Sequence, residues 1–465
     1  MDYLSPLDAS FLDAEDQDPH ASLAISSVAV LDGPAPSQEE FTEAIRGRLA
    51  LVPRYRQKVR RMPFNLGHPM WIDDPAFDLG FHLRRTALPA PGGDAELAAL
   101  IGRLMSQRMD RERPLWETWV IEGLPEGRWA LLSKVHHCLL DGMSGNELYR
   151  VICDTTPEPR PPVPDDWAPR SAPGVLDLTV DTLGRLARFP IEQARLLFGA
   201  FQEAGRIGQA AGGLASLAGA FLPATPSPLL GPIGLARRYA VSRVPLARLS
   251  AAARAHDATV NDVYLAAVSG ALRRLLLARG ETPGPETVRT LVPVNVRRRD
   301  QQGRLDNRIA CLLLRLPVEL ADPAERVHAV HQRIAELRDA HEVEASAGLF
   351  ELADHEPFAA VSLIIRTALW LPQQGLSTVT TNVPGPREQL YILGRPIREI
   401  LPYVPIGDRM RAGFAAFTYG GQACFGVTTD LASLPEAAEL AQWIIDEIPA
   451  EKKARRRRAA RTAPV

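Results

Sequence analysis

The chain is poor in cysteine and lacks the runs of residues that mark secretion or membrane insertion. Its four cysteines, at positions 138, 153, 311 and 424, include no close pair resembling a zinc or redox motif. This spacing favours reduced thiols in the cytosol over a disulfide framework. The N-terminus has no basic stretch followed by an apolar run, so we expect no secretory signal. The chain also lacks a stretch of about 18 uncharged apolar residues, so we expect no membrane span.

An excess of charge of one sign is also missing. The formal net charge is −2 over 465 residues, which argues against a surface that coats nucleic acid. With 46% hydrophobic and 23% charged residues, the composition is that of a folded globular protein. The length exceeds one ordinary hydrophobic core and indicates two domains. We therefore expect a small-molecule or lipid partner and no nucleic acid.

Strand and helix patterns divide the chain into two α/β halves. The first half spans 1–155 and the second spans 231–450. Between them, 156–230 begins with a proline-rich stretch that favours an extended linker and continues with a helical pattern at 174–222. The last residues, 451–465, form a basic tail that we expect to be disordered. In the first half, strand or helix patterns occur at 22–31, 38–52, 96–109, 113–124 and 128–138.

The stretch 135–142 reads VHHCLLDG and has the most unusual combination of residues in the chain. A His-His-x-x-x-Asp-Gly pattern should arise by chance in roughly one of a thousand such chains. Successive side chains of a strand face opposite sides, so only one of His136 and His137 can face a given cleft. This argues against a two-histidine metal site, and the sequence offers no third ligand nearby. We expect no metal.

A single neutral imidazole can catalyse acyl transfer without a protein nucleophile. It removes the proton of an attacking alcohol and returns that proton to the leaving group, and its pKa suits cytosolic pH. The alternatives are nucleophilic roles for Cys138 or Ser144. On a strand Cys138 points away from His137, and Ser144 lacks the G-x-S-x-G elbow. Asp141 could orient the imidazole as in a hydrolase triad, or it could hold the loop by pairing with an arginine.

VHHCLLDG resembles the HHxxxDG motif of CoA-dependent acyltransferases, which chloramphenicol acetyltransferase-like enzymes and peptide-synthetase condensation domains share. Further segments resemble the bacterial wax ester synthase/diacylglycerol acyltransferase family, and they are most similar to the actinobacterial triacylglycerol synthases. These segments occur in family order over nearly the whole chain: SPLDASFLDAED, PLW, NDV, LVPVNVR, TNVPGPREQLYILGRPI and FTYGGQACFGVTTD. The ordered set is far more specific than the HHxxxDG motif alone.

The resemblance implies an α/β fold of two chloramphenicol acetyltransferase-like domains with a tunnel between them. It implies transfer of a long-chain acyl group from acyl-CoA, as cosubstrate, to diacylglycerol, with long-chain alcohols as acceptors for wax esters and no resident cofactor. His137 corresponds to the general base and His136 to a supporting position. Asp141 corresponds to the residue that fixes the loop, through an arginine. Gly142 allows the tight turn.

The resemblance also assigns residues outside the central motif. Asn261 would steady the reacting groups or the oxyanion, although a helix N-cap fits the sequence equally well. Glu15 matches an acidic position near the active site, with plain surface charge as the alternative. The PLW residues would pack behind the motif strand. The candidates for the acyl-CoA side are two residues of the crossover segment and two arginines that could contact the CoA phosphates: Thr381, Asn382, Arg297 and Arg387.

Substrates this apolar imply an interfacial enzyme. We expect a cytoplasmic protein associated peripherally with the inner membrane face or with lipid droplets. The helical pattern 174–222 and the tail 451–465 are the candidates for lipid contact, with a solvated terminus as the alternative for the tail. Two other functions fit the sequence: an acyltransferase with another alcohol acceptor or a carrier-bound donor, and a non-catalytic lipid-binding member of the fold. The sequence does not specify the oligomeric state.

Overall fold

Two six-stranded sheets organise the protein. The computed structural model describes residues 2–62, 68–140, 152–174, 177–178, 180, 184, 227–295, 309–339, 375–407 and 409–450. The strands are β1 Ala24–Leu31, β2 Gln57–Arg60, β3 Met70–Asp73, β4 Leu83–Ala87, β5 Trp116–Glu122, β6 Trp129–His136, β7 Arg237–Pro245, β8 Arg289–Asn295, β9 Ile309–Arg315, β10 Thr378–Pro384, β11 Tyr391–Ile392, β12 Arg395–Tyr403, β13 Ala412–Tyr419 and β14 Gln422–Asp430. The helices are α1 Pro6–Gln17, α2 Gln38–Arg46, α3 Leu79–His82, α4 Asp94–Ser106, α5 Leu246–Ala255, α6 Val260–Ala278, α7 Pro323–Asp339 and α8 Ala437–Asp446.

The first sheet has the strand order β11-β12-β1-β6-β5-β4 and places β6 near its centre. β6 pairs antiparallel with β1 on one side and with β5 on the other. The predicted pair of strands at 113–124 and 128–138 is therefore confirmed. The turn between them contains Glu126 and Gly127, both with positive φ, which lets the chain reverse within a few residues. This pairing places the last residue of β6 at the end of a central strand, where the chain leaves the sheet.

The second sheet has the strand order β7-β14-β13-β10-β8-β9. β13 and β14 form the predicted hairpin, which turns at Gly420 and Gly421 with φ of 55° and 78°. Two consecutive positive φ values are those of a type I′ turn, which glycine adopts without steric cost. The buried helix α6 packs in the second hydrophobic core.

Two strands from the second half of the chain belong to the first sheet. β12 pairs antiparallel with β1, and β11 pairs with β12 at the outer edge. The backbone of Pro402 contacts the second sheet closely: its carbonyl accepts a hydrogen bond from the Tyr239 hydroxyl at 2.9 Å. A Cβ built on Gly426 would lie 2.0 Å from the same oxygen, so only glycine fits there. Strand β12 of the first sheet thus packs against the second sheet at Pro402.

The proline-rich stretch predicted as a linker runs along the first half without regular structure. Asp165 forms an ion pair with Arg56. Arg170 donates its backbone N–H to the Asp73 carboxylate at 2.9 Å, and its guanidinium pairs with the same carboxylate. The predicted helical stretch 174–222 lies almost wholly outside the described residues, and so does the basic tail. Among the described helices, none has both the length and the apolar character needed to cross a bilayer.

Candidate active site

The candidate site lies where β6 ends. His136 is the last residue of the strand, and a 3-10 turn spans His137–Leu140. The backbone N–H of His136 donates to the Leu115 carbonyl at 3.0 Å, and that of His137 donates to the Leu23 carbonyl at 3.2 Å. Both histidines are therefore anchored through their backbones, and the side chains have different neighbours.

His136 is held behind the turn by groups on both ring nitrogens. It is 1% exposed. Its Nδ1 accepts the backbone N–H of Cys138 at 3.2 Å and lies 3.0 Å from the Cys138 sulfur. Its Nε2 lies 3.4 Å from Oε1 of Glu15, an ion-pair distance without the alignment of a good hydrogen bond. Because Nδ1 accepts a backbone proton, the ring carries its own proton on Nε2, facing the carboxylate.

Glu15 is a buried, ionised carboxylate on α1. It is 2% exposed, so the alternative of plain surface charge is wrong. Oε1 accepts the backbone N–H of Leu23 at 2.6 Å, and Oε2 accepts from Arg111 at 3.0 Å, with Arg108 at 3.5 Å. Burial raises the pKa of this carboxyl, but His136, the Leu23 N–H and Arg111 outweigh it and lower the pKa to about 2. Glu15 therefore couples α1 to the back of His136.

His137 is neutral near pH 7 and stacks on an aromatic ring. The imidazole of His137 and the ring of Phe11 on α1 have centroids 3.9 Å apart and planes 25° apart. Burial, with a smaller contribution from His136, lowers the pKa of His137 to about 4, and a contact of the ring with its own backbone opposes this. The side chain is half-buried, and a neutral imidazole can accept a proton, which is the property that a general base needs.

Cys138 does not have the properties of a nucleophile. Its side chain is buried against His136, and burial raises the pKa of its thiol well above the usual value. The thiolate is the reactive form, so this sulfur is inert at neutral pH. The second nucleophile candidate, Ser144, lies outside the described residues, as do the predicted site residues Asp141 and Gly142.

The PLW residues pack behind the motif strand. Leu115 is buried and supplies the carbonyl that accepts the N–H of His136. The ring of Trp116 stacks between Tyr55 and His82, each with a centroid distance of 4.5 Å, and its Nε1–H donates to the Tyr55 carbonyl at 2.8 Å. An aromatic stack thus fixes the start of β5, against which the end of β6 is registered.

Asn261 pairs with Asn382 in the second half. Nδ2 of Asn382, on β10, donates to Oδ1 of Asn261 at 3.1 Å. The N-cap of α6 is Thr259, which forms a capping box with Asp262, so the alternative that Asn261 caps the helix is wrong. Thr259 precedes the helix by one residue and satisfies the same rule that pointed to Asn261. This bond fixes the side-chain amide of Asn261 against β10.

The crossover segment, which begins within β10, carries two of the other predicted acyl-CoA residues, Thr381 and Arg387. Gly385 donates its N–H to the Thr418 carbonyl at 3.0 Å, and a Cβ there would lie 2.2 Å from the same oxygen. Glycine is therefore required for this close approach of two backbones. Thr381 is half-buried and Arg387 is exposed. Arg297 lies outside the described residues, so contacts to CoA stay predictions.

The sequence interpretation missed three residues of this arrangement, namely Phe11, Arg108 and Arg111. One signal was available: Phe11 and Glu15 are four residues apart, and on a helix this spacing puts both side chains on one face. Together they contact the two histidines from a single helix. The arginines carried no local signal, since they lie 93 and 96 residues along the chain from Glu15.

The amino-acid sequence is similar to a known enzyme family over both halves of the chain. The profile of the wax ester synthase/diacylglycerol acyltransferase catalytic domain matches residues 4–264, and that of the C-terminal domain of the same enzymes matches residues 305–450. A Mycobacterium tuberculosis (strain H37Rv) protein named probable diacylglycerol O-acyltransferase is 38% identical over 466 residues, which cover 99% of each chain.

Solved structures share the architecture. A wax ester synthase/diacylglycerol acyltransferase from Marinobacter aquaeolei VT8 is 25% identical with a TM-score of 0.65, covering 96% of this chain and 98% of that one. The starter condensation domain of rhizomide synthetase is 17% identical with a TM-score of 0.58 and coverages of 97% and 95%, a likeness of fold alone. The predicted two-domain acyltransferase fold is confirmed.

Proposed function

The chain belongs to the wax ester synthase/diacylglycerol acyltransferase family, and we propose that it transfers a long-chain fatty acyl group from acyl-CoA to the hydroxyl of diacylglycerol, forming triacylglycerol. Long-chain alcohols are the second acceptor class and give wax esters. The observation that carries the proposal is the neutral imidazole of His137 at the end of β6, because alcohol acylation needs a base that is unprotonated at cytosolic pH.

In the proposed reaction the imidazole moves one proton. We assign the role of base to Nε2, the ring nitrogen farther from the main chain. Nε2 of His137 takes the hydroxyl proton while the alcohol oxygen attacks the thioester carbonyl. The tetrahedral intermediate then breaks its C–S bond, and the imidazolium returns the proton to the departing CoA thiolate. Protons balance, and no covalent acyl-enzyme forms.

The other site residues support this proton transfer. We assign oxyanion stabilisation to the amide N–H of Asn261, held by Asn382. His136 and Glu15 brace the turn, and Asp141 and Gly142 shape the loop that follows it. Thr381, Arg297 and Arg387 are assigned to the acyl-CoA side. The substrates would meet in a tunnel between the domains 1–155 and 231–450.

An acyltransfer assay tests the function directly. Purified full-length protein is mixed with palmitoyl-CoA and dioleoylglycerol in detergent micelles, and free CoA thiol and triacylglycerol are measured in parallel. We expect the two products in equal amounts, with wax ester formed when hexadecanol replaces diacylglycerol. CoA release without ester would indicate a thioesterase. Activity only with an acyl-carrier-protein donor would favour the alternative donor class, and no turnover with either would favour a lipid-binding protein.

We further propose that the basic tail and the segment 174–222, whose sequence predicts a helix, attach the enzyme to a lipid surface. The tail 451–465 contains seven lysines and arginines. Each basic residue near an anionic membrane contributes about 1 kcal/mol, so deleting 451–465 should weaken binding to phosphatidylglycerol vesicles at least tenfold. Vesicle co-sedimentation at low and high salt measures this, with neutral phosphatidylcholine vesicles as the control. Equal binding by the full-length and truncated proteins would exclude the tail.

A further inference from the structure

We propose that Phe11 is a positioning residue for the general base: its ring covers one face of the His137 imidazole and fixes the plane in which the imidazole accepts a proton. The inference rests on the proposed function, in which His137 is that base. It adds a residue of α1 to a site otherwise built from the HHxxxDG motif.

The geometry of the pair carries the inference. The two ring centroids are 3.9 Å apart and the planes differ by 25°, which is a closer stack than most aromatic pairs. The lone pair of an imidazole nitrogen lies in the plane of the ring. A ring stacked on the face therefore leaves the proton-accepting edge open while it excludes water from the face and prevents rotation about χ2. The acceptor hydroxyl has to approach along the edge.

Phe11 differs from the residues of α1 that pack in the core. Leu12 is 1% exposed and belongs to the hydrophobic core of the first half, so it anchors the helix. Phe11 is only half-buried, and its ring stacks on His137. A half-buried ring gains only part of the free energy that full burial of a phenylalanine side chain gives, so apolar burial alone does not explain the position of Phe11.

The ends of α1 are fixed in ways that hold this contact in place. Ser5 caps the N-terminus by accepting the N–H of Asp8 at 3.1 Å. One turn beyond Phe11, Glu15 is locked by Arg111 and by the Leu23 N–H. The Leu23 carbonyl in turn accepts the backbone N–H of His137, so helix and turn share one anchor. The stack is therefore built into the backbone framework.

Desolvation of His137 gives the inference a second readout. Among the described residues, the charged or titratable groups around the turn are His136 and Cys138 beside the ring, Asp8 and Glu15 on α1, and Arg111. Burial is the main reason that the pKa of His137 falls to about 4. Removing the Phe11 ring admits water to one face of the imidazole, so the pKa should rise towards its usual value of about 6.5.

The test compares Phe11→Leu with Phe11→Tyr and with the matched control Phe41→Leu. Phe41 is a buried core residue of α2 in the same half, so its truncation lowers stability without touching His137. For Phe11→Leu we expect kcat to fall about tenfold, the value of roughly one lost aromatic stack, with little change in KM. The acid limb of kcat/KM should move upward from about pH 4. Phe11→Tyr keeps the ring and should retain both properties, and Phe41→Leu should leave both unchanged.

Two results would overturn the inference: wild-type kcat and an unmoved acid limb in folded Phe11→Leu, or the same losses in Phe41→Leu. A measurement on the wild-type protein covers the case in which Phe11→Leu does not fold. In ¹³C-histidine-labelled protein, ring protons of His137, identified by their loss in His137→Ala, should be shifted upfield by the stacked ring. An unshifted resonance would contradict the stack. If His137→Ala itself keeps full activity, the proposed base is wrong, an outcome distinct from failure of Phe11 alone.

Discussion

His137→Ala should lower kcat by about 10²- to 10⁴-fold, the usual contribution of a general acid–base residue. KM for acyl-CoA should change little, because the imidazole acts on the proton in transit and does not hold the CoA moiety. Stopped assays of triacylglycerol formation measure the loss. His20→Ala is the matched control, since the His20 side chain is 46% exposed and lies 3.8 Å from Asp18, and its contact with Arg237 is through the backbone carbonyl, which alanine keeps. It should behave as wild type.

The pH dependence provides an independent check on the same residue. A base works only when it is unprotonated, so activity should persist as pH falls below 6.5 and be lost as pH falls through about 4. Circular dichroism across this range separates loss of activity from acid unfolding. Near-wild-type turnover in His137→Ala, with purified lipid substrates, would remove the residue from the mechanism. An acid limb at 6.5 in the wild type would show that the ring is solvated during turnover.

The local parts of the site were predictable from sequence because they depend on periodicity. The sequence predicted that His136 and His137 face different sides, and the structure gives the two rings different neighbours. The predicted reason, strand alternation through 138, is wrong, because β6 ends at His136 and His137 begins a 3-10 turn. The hairpin at Gly420-Gly421 followed from glycines that accept positive φ. These features involve residues close together along the chain, for which spacing and residue type are sufficient.

The non-local parts were not predictable, for two physical reasons. Arg111 reaches Glu15 from 96 residues away, and arginine is too common for any one of them to stand out. Strand β12 pairs with β1 in the first sheet because of the chain's long-range path, although its sequence reads as an ordinary strand of the second half. Periodicity identifies a strand but does not identify its partner. Asn261 was ambiguous for the opposite reason, since Thr259 obeys the same capping rule two residues earlier.

We expect Glu15 to support the site through His136 and not to act as the acid of a triad. Its carboxylate faces His136, which in turn holds Cys138 in the turn, so its influence on His137 passes through the backbone. The charge of Glu15 is balanced by Arg111 and Arg108. Removing Glu15 takes the acceptor from the Leu23 N–H and leaves Arg111 with Asp16, which is exposed, as its remaining carboxylate.

Glu15→Ala should therefore lower the free energy of unfolding by about 3 kcal/mol and reduce kcat with it, because the Leu23 N–H loses its acceptor and Arg111 keeps only the exposed Asp16. Asp16→Ala is the matched control. Asp16 lies next to Glu15 and pairs with the same Arg111, but its side chain is 45% exposed, so its loss should cost less than about 1 kcal/mol. Thermal and urea unfolding of the two variants measures the difference, and equal losses would show that Glu15 is not a buried anchor.

The pH dependence of this difference follows from the pKa of Glu15. The folded protein lowers it to about 2 from an ordinary value of 4.5, so the carboxylate stabilises the fold fully above pH 4.5 and loses that contribution as pH falls through about 2. A shift of this size corresponds to about 3 kcal/mol. The stability gap between wild type and Glu15→Ala should thus be constant from pH 5 to 8 and narrow below 4.5. Glu15→Gln keeps an acceptor for the Leu23 N–H but lacks the charge. Its loss in free energy of unfolding relative to wild type should be smaller than that of Glu15→Ala, and this loss should also shrink below pH 4.5. A gap that widens with acid would mean that the carboxyl is protonated in the folded protein, and the ion pair with Arg111 would then not be the source of its stability.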